Sequence, residues 1–115
     1  MATDKIQSGK ASLISLLDGA SGVTHFGYVC KDPTTKTCRI FVVARSSSNI
    51  ATNTLLAVVP SEYRPKTNVS VFGVVSTASG GINAYHGTVT ADGGIYQAAG
   101  STIREVFLTG EYLYE

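Results

Sequence analysis

The chain has 115 residues, the usual size of a single domain. Nine Lys and Arg residues balance eight Asp and Glu residues, so the net charge of +1 gives no general attraction to nucleic acid or to an anionic membrane. No apolar run approaches the length of a membrane-spanning helix, and the first ten residues lack the apolar stretch of a signal peptide.

The composition favours an all-β fold. Thr, Val and Ile together supply 32 residues and glycine supplies 12, whereas strong helix formers are scarce. β-Branched side chains lose rotamer freedom in helices and pack well on pleated sheets. Only 15% of the residues are charged, which also suits a chain that buries surface against copies of itself.

The N-terminal half predicts an arm followed by strands. Residues 1–10 are polar, which indicates an arm or tether, and residues 11–115 are predicted to form one β-sandwich domain. Residues 13–17 fit a strand better than a helix because turn residues bound the short window. Residues 24–31 and 37–44 form a predicted hairpin, since Asp-Pro opens a turn between them. Ile40 and Val42 share one face with Cys38, and Phe41 lies on the opposite face.

That opposite face also carries Arg39 and Val43. Because both faces of residues 37–44 are therefore partly apolar, we expect this strand to be covered on both sides.

The C-terminal half continues the same pattern. A polar connection, a strand and an irregular crossover are predicted at residues 45–53, 54–59 and 60–65, followed by β-runs at 68–76, 82–90, 95–100 and 101–115. Val69, Val71 and Val75 alternate with Phe72 and Val74. Gly110 predicts a bulge or bend between two strand segments in the last run. About eight short strands separated by turns indicate an antiparallel β-sandwich, jelly-roll-like in type.

The two cysteines allow two interpretations. If the hairpin is centred on Thr34, then Cys30 faces Cys38 directly. The pair then forms either a cross-strand disulfide once outside a cell, or two buried thiols that act as small apolar groups.

The sequence carries no signal for catalysis or for a metal cofactor. His25 and His86 have no ligand-type neighbour at a recognisable spacing, and none of the common hydrolase, zinc-protease or phosphate-loop motifs occurs. We therefore expect no enzyme activity, no metal and no other cofactor.

Aromatic residues are the best candidates for binding. Tyrosine combines apolar area with a hydroxyl group, so it serves interfaces and sugar platforms alike. The candidate ligand-binding residues are Tyr85, His86, Tyr96 and Tyr112. The alternative is that these tyrosines cap the edge of the core or an intersubunit seam.

Residues 58–65, VVPSEYRP, resemble a segment of small β-sandwich domains in phage tail fibres and baseplates. The strand TLLAVV, which leads into this segment, and the ordered pieces that follow it, NVSVFGVVS, INAYHGTVT, ADGGIYQ and LTGEYLYE, are similar to that family as well, so the likeness covers residues 54–115. Within the crossover, Pro60 and Pro65 fix the backbone, while Tyr63 can lie on the sheet edge and Arg64 can bond carbonyl groups. We expect these four residues to be structural.

The resemblance implies a homotrimeric domain of a virion appendage, assembled in the host cytoplasm, of a phage that infects Gram-positive cells. Such domains bind a host surface component, commonly a cell-wall saccharide, or join neighbouring tail and baseplate proteins. Three functions therefore stay open: a host-binding module, a structural or decoration protein of tail or capsid, and a lectin-like module.

Overall fold

The computed structural model describes residues 13–77, 79–97 and 103–114. The predicted arm at residues 1–10 lies outside these described residues. Within them, no helix is long and apolar enough to cross a membrane.

Nine strands and one short 3-10 turn make up the described fold. The strands are β1 (Ile14–Ser15), β2 (Leu17–Asp18), β3 (Thr24–Asp32), β4 (Thr37–Ile50), β5 (Leu55–Val58), β6 (Val69–Thr77), β7 (Ile82–Val89), β8 (Gly94–Gln97) and β9 (Ile103–Leu113). The 3-10 turn, Ser61–Tyr63, lies in the crossover between β5 and β6. The all-β, antiparallel prediction is therefore confirmed, with nine strands in place of about eight.

All nine strands belong to one antiparallel sheet that rolls up on itself. The strand order is β1-β3-β4-β9-β6-β7-β8-β5-β2, so β1 and β2 are the two edge strands. These edges are consecutive in sequence, because Leu16 alone separates Ile14–Ser15 from Leu17–Asp18. The chain thus crosses the seam of the roll at Leu16, which is buried. The roll gives every strand an inner face and an outer face.

The inner faces meet in one apolar core. Strand β4 shows why, since alternate side chains point inwards and outwards along a strand. Cys38, Ile40, Val42 and Ala44 are fully buried on its inner side. The alternation predicted for β4 and β6 is confirmed. Ile50 at the end of β4 is also buried, and the buried apolar residues from the other strands and connections are Leu16, Val29, Leu56, Ala57, Val59, Val71, Val75, Val89, Ile95, Ile103, Val106, Leu108 and Tyr112.

The β3–β4 hairpin forms as predicted, but its register differs by one residue. Cys30 lies opposite Arg39, and Lys31 lies opposite Cys38. The predicted direct pairing of Cys30 with Cys38 is therefore wrong, and both thiols are free. The cause is the loop: Lys36 adopts a left-handed conformation with φ 61° and leaves the ladder, so the loop holds an even number of residues. Residues that lie directly opposite each other share a face of the hairpin, and Cys30 and Cys38 are no longer opposite each other. Cys38 therefore points into the core and Cys30 lies on the outer face.

Strand β4 continues through the segment that the sequence assigned to a polar connection. Residues 45–53 were expected to be a loop, yet β4 extends to Ile50, which pairs with Ile103 after a register shift. Asn49 accepts a hydrogen bond from Arg104 Nε at 2.9 Å. Pairing with β9 and burial of Ile50 extend the strand although its serines have little β propensity.

Gly110 lies in a regular stretch of β9 and not in a bulge. The β4–β9 ladder runs without interruption from Thr37 and Leu113 to Arg45 and Glu105. A Cβ atom at Gly110 would lie 2.5 Å from Val71 Cγ1. Glycine is therefore needed there for close packing against Val71, and the predicted bulge is wrong.

Candidate interaction surface

Four neighbouring strands, β3, β4, β9 and β6, present a largely apolar outer face. Their pairing arranges the outward side chains in rows that cross the sheet. One row contains Phe26, Val43, Phe107 and Val74, and the next contains Tyr28, Phe41, Thr109 and Phe72. We call these two rows the aromatic face.

The rings of the aromatic face pack against one another. Phe41 is the centre, with its ring centroid 5.4 Å from that of Tyr28, 6.2 Å from that of Phe26 and 5.1 Å from that of Phe107. The contacts with Phe26 and Phe107 are edge-to-face, a favourable arrangement for aromatic pairs. The cluster is therefore ordered before any partner binds.

Three phenylalanine rings of the aromatic face are exposed to solvent, while Phe41 is half-buried. Phe26 is 66% exposed, Phe72 is 62% exposed and Phe107 is 40% exposed. Two shallow depressions of about 290 and 410 Å³ lie on either side of Val43 and Arg45. The face thus offers both projecting rings and hollows that a partner's side chains can fill.

Ion pairs border the aromatic face at both ends. Arg39 donates to Glu111 at 3.4 Å, and Arg45 donates to Glu105. In each pair the arginine belongs to β4 and the glutamate to β9. Exposed pairs of this kind contribute little to folding stability. Their regular placement therefore bears on recognition more than on the fold.

Of the four candidate ligand-binding residues, Tyr85 and His86 lie together, with stacked rings whose centroids are 6.0 Å apart, but the four do not form one exposed surface. Tyr112 is buried on β9, where its hydroxyl donates to the backbone oxygen of Tyr63. Tyr85 points inwards from β7 and donates to the Oε1 atom of buried Gln97. Tyr96 is half-buried on β8, whereas His86 is exposed on the outer side of β7. The structure thus gives two of the three tyrosines hydrogen-bond partners within the fold.

Gln97 is a buried polar residue for which the sequence analysis assigned no role. Its Nε2 atom donates to the backbone oxygens of Ile50 and Ala51, at 2.9 and 2.6 Å. With the bond from Tyr85, these contacts join β7 and β8 to the end of β4. The sequence does contain a signal for Gln97, because hydrophobic residues flank it. A single amide among inward-facing apolar positions needs hydrogen-bond partners in the core.

The crossover residues have the structural contacts that the sequence predicts. Arg64 Nε donates to the backbone oxygen of Val59 at 2.9 Å, and Tyr63 packs against the core. Pro60 begins the 3-10 turn and accepts a bond from the Tyr63 backbone N–H at 2.9 Å. Pro65 is buried. The crossover is thereby fixed to the body of the sheet.

A cation lies over the outer edge of this crossover. The Nζ atom of Lys31 lies 4.9 Å from the ring centroid of Tyr63 and 4.4 Å from that of Tyr114. These contacts occupy the faces of both rings with a group of the same chain. Tyr63 and Tyr114 therefore serve the fold at this end of the roll.

The histidines and acidic residues form no common centre. His25 Nε2 lies 2.9 Å from Asp18 Oδ1, across the gap between β3 and β2. Among the described residues, no group of three or more His, Cys, Asp or Glu side chains is placed to hold a metal ion. The pKa of Asp92 is lowered because its carboxylate accepts bonds from the Thr90 hydroxyl and the Gly94 backbone N–H. These bonds stabilise a tight turn.

The sequence analysis identified the apolar outer residues but assigned them to a covered surface. The sequence signal for these outer residues was the alternation of Phe41 and Val43 with the core residues of β4. A single 115-residue chain closes one core, so no second layer of its described residues covers the outside of the roll.

The comparisons with known proteins leave the family open. A scan against models of protein families finds no match, and a search of curated protein sequences finds none either. The aromatic face and the sequence resemblance are therefore the features that bear on function.

Proposed function

We propose that this chain is a non-catalytic assembly domain that joins protein subunits through the aromatic face. The main observation is that Phe26, Phe41 and Phe107 form a packed cluster in which Phe26 and Phe107 are exposed to solvent and Phe41 is half-buried. Contiguous apolar patches on the surface of soluble proteins mark interaction sites. Aromatic residues at the centre and charged residues at the rim are also the usual anatomy of a protein interface.

The resemblance supports a setting for this assembly, namely the tail fibre or baseplate of a phage. The VVPSEYRP crossover is built into the fold through Arg64, Tyr63 and their backbone partners. A motif that determines the fold is what related tail domains would share. In this setting the chain is a structural component of the virion appendage that contacts neighbouring tail proteins.

The geometry supports this function better than saccharide binding by the four candidate residues. Tyr112 is buried and its hydroxyl is bonded within the fold, so it offers no sugar platform. The rings of Tyr85 and His86 stack on each other with centroids 6.0 Å apart, but the Tyr85 hydroxyl is bonded to the buried side chain of Gln97. A saccharide site made of these residues would need them on one surface.

A competition experiment tests the proposal. Purified domain is added in excess to an extract in which tails of the parent phage assemble, and infectious particles are counted. We expect the parent domain to block assembly and Phe26→Lys to lose this effect, because the lysine puts a charge at one end of the apolar row. Leu17→Lys is the matched control, since Leu17 is also exposed but lies on β2, outside the aromatic face.

A parallel arm tests host binding. The same proteins are mixed with purified cell walls of Gram-positive bacteria and sedimented. Equal inhibition of assembly by all three proteins would contradict the proposal. Binding to cell walls that Phe26→Lys abolishes, without any effect on tail assembly, would assign the aromatic face to a saccharide instead.

A further inference from the structure

The ion pairs divide the outer surface into a basic side and an acidic side. Arg39 and Arg45 both lie on β4, and their partners Glu111 and Glu105 both lie on β9. The line between β4 and β9 therefore separates two cations from two anions. The two rows of the aromatic face lie between these charged rows.

This charge pattern is complementary to itself under one two-fold rotation. An axis that runs along the strands, between β4 and β9, places β4 of one copy over β9 of a second copy at the same level. Arg39 then meets Glu111 of the second copy, and Arg45 meets its Glu105. The alternative two-fold, with its axis across the strands, places β4 over β4 and brings Arg39 against Arg45. Opposite charges favour the first arrangement and like charges disfavour the second.

We propose that the aromatic face binds a second copy of this chain, face to face, about the two-fold axis along β4 and β9. The proposal rests on the proposed assembly function and names the partner. It differs from the homotrimer that the resemblance implies. In a trimer each face meets a different surface, whereas a self-complementary face closes as a two-fold pair.

In the first row of the aromatic face the side chains are also complementary in size under this rotation, whereas in the second row Phe41 lies over Thr109 and Tyr28 lies over Phe72 of the second copy. Val43 and Phe107 share a row, so each phenylalanine lies over the valine of the other copy. Phe26 lies in the same way over Val74 of the second copy. Alternation of large and small residues allows two sheets to interdigitate at the usual spacing of about 10 Å. The strands of the two sheets cross at roughly 30°, an angle that the two-fold axis bisects.

The expected dimer is weak. Four strands at about 4.8 Å spacing and a length of six residues give a face of roughly 15–20 by 20 Å. Interfaces of stable complexes bury about 800 Å² on each partner, which is more than this face supplies. We therefore expect reversible association that depends on concentration.

Sedimentation velocity over roughly 5–500 µM protein measures this association. The parent chain of 12.0 kDa is expected to shift towards about twice that mass at high concentration. An acidic variant, Arg39→Glu with Arg45→Glu, and a basic variant, Glu105→Arg with Glu111→Arg, should each stay monomeric, with association weakened at least tenfold. Their equimolar mixture should form dimers again, because the two altered faces are complementary.

Controls separate charge effects from unfolding and from net charge. Each variant is used after its thermal unfolding is shown to be cooperative. A variant that reverses all four charges restores the complementary pattern and should dimerise like the parent. The test therefore does not depend on a double variant that fails to dimerise because it folds poorly. Lys66→Glu with Glu62→Arg changes exposed residues of the crossover region and should leave dimerisation unchanged.

Three results would overturn the proposal. These are a parent chain that stays monomeric at the highest concentration, a trimer of three times the chain mass, and dimerisation that the charge variants do not weaken. If the parent is monomeric yet still blocks tail assembly in a Phe26-dependent way, the second-copy partner is wrong and the assembly function stands.

Discussion

Replacing Gln97 by methionine should reveal how strongly one buried polar residue holds the roll together. Gln97 is fully buried, and its amide donates to Ile50 and Ala51 while accepting from Tyr85. Methionine has a similar length and volume but makes no comparable hydrogen bonds. The substitution therefore removes at least these three hydrogen bonds and leaves little cavity.

The magnitude follows from the number of bonds. A hydrogen bond of a folded protein contributes about 1 kcal/mol net, so Gln97→Met should lower the free energy of unfolding by about 3 kcal/mol. Tyr85→Phe removes one of the same bonds and should cost about 1 kcal/mol. The double variant should lose about 3 kcal/mol and not the sum of the two, because the Tyr85–Gln97 bond is already absent in Gln97→Met.

Equilibrium unfolding in urea measures all four proteins of this double-mutant cycle. Tyr96→Phe is a matched control on the same strand, and we expect it to change the free energy of unfolding by less than about 0.5 kcal/mol. The reasoning would be refuted if Gln97→Met cost less than about 1 kcal/mol, or if the losses from Gln97→Met and Tyr85→Phe were additive.

Alternation along single strands could be predicted because it is a local property. The inward positions of β4, such as Ile40 and Val42, and the outward position of Phe72 on β6 all follow from the period of two. The crossover could be predicted as well, since proline and the Tyr63–Arg64 pair constrain the chain within a few residues.

Register and strand ends depend on distant residues and could not be predicted. One residue in the left-handed conformation, Lys36, decides whether Cys38 faces Cys30 or Lys31. The extension of β4 to Ile50 depends on its pairing with Ile103, more than fifty residues away. Neither effect leaves a local pattern in the sequence.

The candidate site depends on how the sheet closes. Strand alternation places Phe26, Phe41 and Phe107 on outer positions, but it does not show which strands are neighbours. That information comes from the strand order β3-β4-β9-β6, which brings the three rings into contact. The same long-range order places Arg45 beside Glu105 and so creates the charge pattern of the proposed dimer.

Two further predictions concern close packing and burial. A Cβ atom at Gly73 would lie 1.8 Å from the backbone oxygen of Phe107, so Gly73→Ala should separate β6 from β9 and cost more than about 2 kcal/mol. Gly22→Ala, which meets open space at a positive φ, should cost about 1 kcal/mol, and equal melting temperatures for the two variants would contradict this account. Burial raises the pKa of the Cys38 thiol from 9.0 to about 11, so the folded chain keeps a proton that the unfolded chain releases. This contribution to stability is complete below pH 9.0 and is lost as the pH rises towards about 11. Urea unfolding under reducing conditions should therefore show stability falling more steeply above pH 9.0 for the parent than for Cys38→Ala, and parallel curves would show that the thiol is not the cause.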